Sequence, residues 1–351
     1  MIETSSLQHE PVALPERSFG RIVRSVIGYA VLVALMFISP LFVFVPAALF
    51  ACGIRNGKPA AMIALALATM ISIAIAVQTA HVPGTTPTDA LMSYAYLAAL
   101  VVAVGVPALV VLPLVERGEA FGRVLLSAVL LSITGLGATE AVLQQGYGFS
   151  PYREQVVRAH QTAAQFITAY EKAGVPADAV RVLTKWMNIG VSCLPAFFLI
   201  DIIVVFVLSL VMFGRLKAWR DLVTRRDPAA DGGPVAAAYH FRNFSLPEWL
   251  LFAFIIGGLT PLVSGMLQKV TANVLAVVAF LYLLQGLAIF RSLLVAVGAG
   301  FGGVMFGYLL LGILTITGIA PLLLSIAGLF DSFFDFRHFR RKDHSDESHP
   351  H

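Results

Sequence analysis

Long runs without a charged side chain constrain this chain more than any other feature of its sequence. The runs that hold no Asp, Glu, Lys or Arg are Ser25–Ile54, Pro59–Gln78, Leu91–Val115, Trp249–Gln268, Val270–Phe290 and Ser292–Phe330. A helix needs about 20 apolar residues to cross the bilayer core, which is roughly 30 Å thick. Because one soluble protein of this size cannot bury so many runs of that length, the pattern predicts an all-α, polytopic transmembrane helix bundle.

Composition supports this class and excludes others. Only 13% of the residues are charged and 58% are hydrophobic, whereas soluble domains contain about 25% charged residues. The net charge of +4 fits basic cytoplasmic loops beside anionic lipid. We therefore expect the lipid bilayer as a partner and no nucleic acid. Cys52 and Cys193 lie in apolar runs without metal-ligand spacing, so they are predicted to be packing residues.

Two charge-free runs are too long for a single crossing. Ser25–Ile54 would form a helix of about 45 Å and Ser292–Phe330 one of about 58 Å. The first run contains Ser39 and Pro40, and the second contains Gly312, Gly318 and Pro321; glycine and proline there allow a break. Splitting both runs gives ten segments, about 22–38, 41–53, 59–79, 91–114, 122–144, 188–213, 248–267, 271–290, 293–314 and 316–330.

The positive-inside rule favours the ten-segment prediction. It puts 18 of the 24 Lys and Arg residues on the cytoplasmic side, together with both chain termini. Residues 1–21 are then a cytoplasmic tail, residues 22–330 a transmembrane domain, and residues 331–351 a polar, disordered cytoplasmic tail. The domain is interrupted by an external helical hairpin at 145–187 and by a basic cytoplasmic loop at 214–247.

Asp201 is the most informative polar residue, because it is the only charged residue within Met187–Gly214. A carboxylate at the centre of a bilayer costs about 2.5–3.5 kcal/mol on insertion scales. It therefore marks either a ligand, ion or proton site, or a hydrogen-bonded aspartate that locks helix packing. Glu140 is a second candidate for a substrate or proton pathway, although its place near the outer interface also allows simple hydration.

Asn273, Tyr282 and Gln285 are the remaining candidates for a substrate or proton pathway. Tyr282 and Gln285 are three residues apart and share a helix face, whereas Asn273 does not align with them. Hydrogen bonds between helices are the alternative role of all three residues. Asp331 and Asp335 lie one turn apart, and we predict that they form a solvated acidic helix end rather than a metal site.

Two local patterns carry structural expectations. Gly298 with Gly302, and Gly303 with Gly307, have the spacing of small residues that pack transmembrane helices closely. Residues 245–248 read Ser-Leu-Pro-Glu, which resembles a capping box that begins the seventh segment.

Catalytic signatures are missing from the sequence. It contains no GxSxG, HExxH or Walker A pattern, and its histidines form no ligand pairs within the apolar runs. We therefore expect no enzyme activity, no cofactor and no metal site.

Several stretches resemble the YybS-type family of predicted bacterial membrane proteins, a domain of unknown function. Residues 244–248 (FSLPE), 273–275 (NVL), 280–288 (FLYLLQGLA) and 328–337 (GLFDSFFDFR) carry the likeness, together with Pro40–Leu41 and residues 53–57 (GIRNG). The resemblance implies a multi-pass protein of the bacterial inner membrane. The chain also resembles, more distantly, the substrate-binding membrane components of energy-coupling-factor importers, which implies short, broken helices around a central pocket.

Two functional hypotheses follow. The first is a small-molecule transporter or its substrate-binding subunit, which Asp201 and the interrupted apolar runs favour. The second is a non-transporting membrane scaffold for envelope or cell-division assembly. It would bind membrane protein partners through the basic stretch Arg215–Asp227, which follows the sixth segment.

Overall fold

The computed structural model describes residues 19–80, 87–216, 241, 244–298, 300–316 and 318–334. Both predicted tails, apart from residues 19–21 and 331–334, and most of the basic loop 214–247 lie outside this part of the chain. The helices are α1 Phe19–Phe37, α2 Val45–Asn56, α3 Lys58–Ala80, α4 Pro87–Leu100, α5 Val106–Glu116, α6 Phe121–Tyr147, α7 Pro151–Lys172, α8 Ala177–Ser192, α9 Leu194–Phe213, α10 Leu250–Gly258, α11 Gly265–Ala296, α12 Phe301–Ile316 and α13 Ile319–Phe334. The described residues contain helices, turns and irregular segments but no strand, so the all-α prediction is confirmed there.

Six helical segments within the described residues are long and apolar enough to cross a membrane, and a bent pair would make a seventh. They are Gly20–Phe37, Lys58–Gln78, Ala90–Glu116, Phe121–Tyr147, Leu194–Phe213 and Gly265–Val295, and the bent pair is α12 with α13. Ala90–Glu116 joins α4 and α5 through a π-helical turn at Val101–Gly105. The prediction of ten segments is therefore not confirmed.

The differences from the ten-segment prediction have local causes. The second and seventh predicted segments are shorter helical pieces, Pro40–Asn56 and Leu250–Leu262. The sixth is broken at Cys193, where α8 ends and α9 begins with Pro195 in its first turn. Proline has no backbone N–H and clashes with the preceding turn, so a continuous helix through this point is disfavoured.

The predicted break in the first long run is confirmed. The Ser39 hydroxyl accepts a hydrogen bond from the Leu41 amide at 3.3 Å, and Pro40 begins a 3-10 turn that leads into α2. The chain reverses there. The side-chain amide of Asn56, at the end of α2, then donates a hydrogen bond to the Ser25 hydroxyl near the start of α1, at 3.1 Å.

Helix α2 forms the centre of the bundle. All residues from Val45 to Gly53 are buried, between α1, α3, α5 and α9. Phe50 meets Phe213 edge to face, with ring centroids 5.6 Å apart. A side chain at Gly53 would collide with Leu112 of α5, so a small residue there permits the close approach of the two helices.

A second packing unit comprises α10, α11 and α13. Close approaches occur where Gly257 faces Leu275, and where Gly286 and Gly328 face the backbone of the opposite helix. The Ser325 hydroxyl donates to the Ala279 carbonyl at 3.1 Å. The predicted packing role of Gly298 and Gly302 is wrong, because no described atom lies within 4 Å of the side chain that either position would add. Gly307, of the second predicted pair, does lie close to a neighbouring helix, because a side chain added there would come within 3.1 Å of Leu294.

The bundle has two distinct ends. Helix α6 starts at Phe121, between Arg117 and Arg123 in sequence, and α2 packs through Gly53 against Leu112 near the end of the preceding helix α5. We call this end of the bundle the basic end. Helix α6 ends at Tyr147, at the opposite end of the bundle. The antiparallel helices α7 and α8 lie at that end, and we call this pair the hairpin. A turn with Gly174 at φ +75° joins its two helices. The predicted helical hairpin is therefore present, and only Ala163 and Val180 in its two helices are buried.

Candidate functional site

Asp201 lies on the exposed face of α9. The opposite face of this helix is buried and includes Ile202, Ile203 and Phe206. Phe197 and Phe198 precede Asp201 by four and three residues and are 51% and 39% exposed. Residues at these spacings are neighbours on a helix surface, so the carboxylate and two aromatic rings form one open patch.

Tyr96 of α4 lies near this patch. Its side chain is 53% exposed, and its hydroxyl group lies within electrostatic range of the Asp201 carboxylate. Sequence reasoning missed Tyr96, although a tyrosine hydroxyl inside a charge-free run was a usable signal. We call Tyr96, Phe197, Phe198 and Asp201 the Asp201 patch.

The Asp201 carboxylate makes no hydrogen bond or salt bridge with the described residues. No lysine or arginine occurs in α9 itself. Asp201 is the eighth residue of this helix, which places it about 10 Å from the helix start at a rise of 1.5 Å per residue. The carboxylate thus lies in the apolar stretch of α9, on the half of the helix nearer the hairpin.

The carboxylate of Glu140 caps the first helix of the hairpin. It accepts hydrogen bonds from the Ser150 hydroxyl and, at 3.2 Å, from the Tyr152 amide. Ser150 in turn accepts from the Arg153 amide at 3.0 Å. A negative charge at a helix N-terminus satisfies free amides and complements the helix dipole. Glu140 therefore stabilises the start of α7, and its hydrogen-bond partners are not residues of the Asp201 patch.

Asn273 of α11 stabilises the break between α8 and α9. Its side-chain oxygen accepts from the Ala196 amide at 2.8 Å, and its side-chain nitrogen donates to the Ser192 carbonyl at 3.0 Å. A broken helix leaves amides and carbonyls without partners, and these are costly in an apolar layer. Asn273 supplies one partner on each side of the break.

Gln285 joins three segments at the basic end. Its oxygen accepts from the Leu246 amide at 3.2 Å, and its nitrogen donates to the Asp331 carboxylate at 3.0 Å. Tyr282 is buried one turn away and meets Phe254 edge to face, with ring centroids 5.8 Å apart. We call Tyr282, Gln285 and Asp331 the Gln285 cluster.

Two expectations for this region are wrong. Asp331 is only 9% exposed, so it does not belong to a solvated helix end. Asp335, its predicted companion, lies outside the described residues. The capping box is absent as well, because α10 begins at Leu250 and no side chain caps it. The Leu246 amide is bonded to Gln285 instead.

The five predicted candidates therefore do not form one site. Tyr282 and Gln285 share a buried cluster, Asn273 and Glu140 support helix ends, and Asp201 is exposed. Among the described residues, no group of three or more His, Cys, Asp or Glu side chains could hold a metal ion. Cys52 and Cys193 are not disulfide-bonded.

Apolar helices of this length, packed through small residues and through hydrogen bonds between helices, define a polytopic helical membrane protein. Residues 26–332 match the DUF2232 family, described as "Predicted membrane protein", and the chain belongs to this family. The resemblance to a family of predicted membrane proteins is thereby confirmed. No curated protein and no solved structure matches the chain, so the likeness to importer components stays a prediction.

The family-like stretches meet in the structure. Residues 244–248, 280–288 and 328–337 are far apart in sequence, and each contributes a group to the hydrogen bonds around Gln285. The stretch at 273–275 contributes Asn273, which bonds across the α8–α9 break. These stretches hold the fold together, and none of them supplies a residue to the Asp201 patch.

Proposed function

We propose that this protein is a small-molecule-binding membrane subunit that serves transport across the inner membrane of a bacterium. The observation that carries this proposal is the accessible Asp201 carboxylate within the apolar layer. An aspartate in such a layer usually faces a partner or a hydrated cavity. Because the described residues offer Asp201 no hydrogen bond, a ligand is a fitting partner.

The chemistry of the patch favours a ligand with a cationic or hydrogen-bond-donating group. A carboxylate attracts a cation, and the rings of Phe197 and Phe198 add the favourable interaction of a cation with an aromatic face. The Tyr96 hydroxyl can donate or accept one hydrogen bond. A few polar groups among aromatic side chains are typical of small-molecule sites.

Breaks in two helical segments support a transport role. The α8–α9 break at Cys193 lies about 12 Å from Asp201 along α9. The bend between α12 and α13 is 110°. Discontinuous helices are typical of transporters, where they line sites and allow one part of the bundle to move against another. This role requires no catalytic step and no cofactor.

Ligand-induced stabilisation tests the proposal. The full-length protein, purified in a mild detergent, is heated with and without each member of a panel of small cationic and polar metabolites. A ligand at 100 times its Kd stabilises the folded state by about 2.7 kcal/mol. We expect at least one compound to raise the unfolding temperature of the wild type and of Glu140→Gln, but not of Asp201→Asn.

The Glu140→Gln variant is the matched control, because it also removes one carboxylate from the membrane domain. Equal stabilisation of wild type and Asp201→Asn by every active compound would place the ligand elsewhere and refute the site. If no compound in the panel stabilises the wild type, the binding proposal fails. Uptake of a stabilising compound into proteoliposomes then tests the transport step.

An assembly scaffold is the second candidate, and one observation favours it. The hairpin exposes large apolar side chains, including Phe166 at 52%, Tyr170 at 47% and Trp186 at 65%. Aromatic side chains on an accessible surface are typical of protein contacts. Co-purification of a membrane protein that is lost when residues 215–227 or the hairpin are deleted, while Asp201→Asn has no effect, would favour the scaffold.

A further inference from the structure

The second helix of the hairpin, α8, has an exposed apolar face. Val182, Trp186 and Ile189 are 56%, 65% and 43% exposed. Their spacing of four and three residues puts them on one side of the helix. Val180 is buried on the opposite side. The helix therefore has a buried apolar side and a separate apolar side that is exposed.

Basic residues border the exposed apolar face of α8. Arg181 and Lys185 are one helical turn apart, and each directly precedes a residue of that face. The ion pair of Arg181 with Asp178, 3.4 Å long, is exposed and is therefore weakened by water. Helices α7 and α8 together contain five Lys or Arg residues and three Asp or Glu residues. A basic border beside an apolar face that contains tryptophan is typical of helices that lie in a membrane interface.

The end of α8 is fixed next to the start of a membrane span. The span Leu194–Phe213 begins two residues after α8 ends. Two helical hydrogen bonds bridge the break between them: the Cys193 amide donates to the Ile189 carbonyl at 3.0 Å, and the Phe197 amide donates to the Cys193 carbonyl at 3.1 Å. Ile189 is therefore about 8 Å, and Trp186 about 12 Å, from the start of the span along the helix.

The start of α7 is held beside α6 rather than beyond its end. Helix α6 continues for about 10 Å past Glu140, to Tyr147. The Glu140 carboxylate nevertheless accepts a hydrogen bond at 3.2 Å from the Tyr152 amide, in the first turn of α7. Glu140 lies about 30 Å from the start of α6, which equals the thickness of a bilayer core. The base of the hairpin is thus level with a point one core thickness along α6.

We infer that the exposed apolar face of α8 binds the lipid headgroup region of the membrane on the hairpin side. Its apolar side chains enter the boundary between headgroups and acyl chains, where interfacial helices bury their apolar face. Tryptophan is enriched at this boundary because its ring is apolar and its N–H is polar. Arg181 and Lys185 extend from the border of the face toward lipid phosphates.

A protein partner is the alternative occupant of this face. The short distance from Trp186 to the span and the basic border favour lipid, because both place the face where headgroups lie. The inference goes beyond the proposed function, since it does not require Asp201 to bind a ligand.

Quenching of tryptophan fluorescence tests the inference on the full-length protein in nanodiscs of phosphatidylcholine and phosphatidylglycerol. The chain contains three tryptophans, so Trp219→Phe and Trp249→Phe leave Trp186 as the single reporter. The matched control adds Trp186→Phe and Asn188→Trp to those two changes. Asn188 is exposed and lies nearer to the span, but on a different side of α8 from the apolar face. Brominated lipid quenches reporters in the bilayer, and acrylamide quenches reporters in water.

We expect brominated lipid to quench Trp186 at least about threefold more strongly than the control reporter at Asn188, and acrylamide to show the opposite order, because only the apolar face enters the lipid. Lipid brominated near the glycerol backbone should quench Trp186 more strongly than lipid brominated near the end of the acyl chain, because an interfacial helix lies at a shallow depth.

Two results would overturn the inference. Equal quenching of both reporters by acrylamide would show that α8 lies in water. Protection of Trp186 from both quenchers would show that a protein surface covers the face. If the single-tryptophan protein does not fold, a photoreactive phospholipid decides on the wild type in the same nanodiscs. The inference requires adducts within residues 181–189, and their absence would refute the lipid contact without affecting the Asp201 proposal, which ligand-induced stabilisation tests separately.

Discussion

Two carboxylates in the membrane domain have opposite surroundings. Asp331 is buried where α11 and α13 meet, and it accepts a hydrogen bond from Gln285. Asp201 is exposed on α9 and makes no hydrogen bond with the described residues. A buried polar group with a partner stabilises and specifies packing, whereas an open one is available to bind. Asp331 therefore supports the packing of α11 against α13, whereas the Asp201 carboxylate is accessible to a binding partner.

The largest expected effect on stability comes from the close approach of α11 and α13 near the buried Asp331 carboxylate. In Gly328→Leu the new side chain would collide with the Tyr282 carbonyl, so α13 must move away from α11. We expect a loss of more than about 3 kcal/mol, because overpacking against backbone cannot relax easily. Gly312→Leu is the control, since no described atom lies within 4 Å of its added side chain. Fluorescence-detected size exclusion and thermal unfolding measure both variants, and equal behaviour would contradict the packing described for α13.

Removal of the buried carboxylate should have the next largest effect. Asp331→Ala leaves the Gln285 side-chain nitrogen without the partner it has at 3.0 Å. An unsatisfied buried group costs about 1–3 kcal/mol, and thermal unfolding in detergent measures the loss. The double variant Gln285→Leu/Asp331→Leu removes both partners of this bond but also leaves the Leu246 amide without its acceptor, so it should recover only part of the loss. A double variant less stable than either single variant would show that the hydrogen bond is not the main contribution.

Removal of the helix-capping carboxylate should have a smaller and local effect. Glu140→Ala deprives the Ser150 hydroxyl and the Tyr152 amide of their acceptor. Loss of a cap costs about 1 kcal/mol. Because few residues of the hairpin are buried, packing there does little to offset this loss of stability. Hydrogen exchange should rise in residues 151–172 and stay unchanged in α2. An increase spread evenly over the bundle would place Glu140 in the core network instead.

Neutralising the open carboxylate should have the smallest effect on stability. Asp201→Asn breaks no hydrogen bond among the described residues, and it removes a charge from an apolar layer, which is favourable. We expect an unfolding temperature equal to or above that of the wild type without ligand, combined with loss of the ligand response. A fall comparable to that of Asp331→Ala would show that Asp201 has a structural partner and would remove the contrast between the two sites.

Much of the architecture could be predicted from the chain alone. The helical membrane class, the break at Ser39 and Pro40, the break near Gly318 and the hairpin at 145–187 all follow from charge-free runs and helix-breaking residues. The prediction of ten spans is not confirmed in the described residues, where α2, for example, is short and apolar but buried inside the bundle. Hydropathy does not distinguish lipid from protein as the apolar surroundings of a helix.

The candidate site was less predictable, because its residues come together only through the packing of helices that are distant in sequence. Asp201 stood out because a single charge interrupts an apolar run, but Tyr96, about 100 positions away, did not. Gln285 and Asp331 gave no sign of their hydrogen bond, since their separation of 46 residues becomes a contact only when α11 and α13 lie side by side. Such pairs depend on helix packing, which local sequence patterns do not specify.

The sequence by itself determined the class, because the length and neutrality of an apolar run decide whether a helix is stable in a bilayer. It also placed Asp201 within an apolar helix, because no other charged residue occurs in that run. Only the tertiary structure decided that Asp201 is exposed and that Asp331 is buried. It also decided that Arg21, Arg24 and Arg55 line one cavity. The direction in which a side chain points depends on the rotation of its helix, and contacts with helices distant in sequence set that rotation.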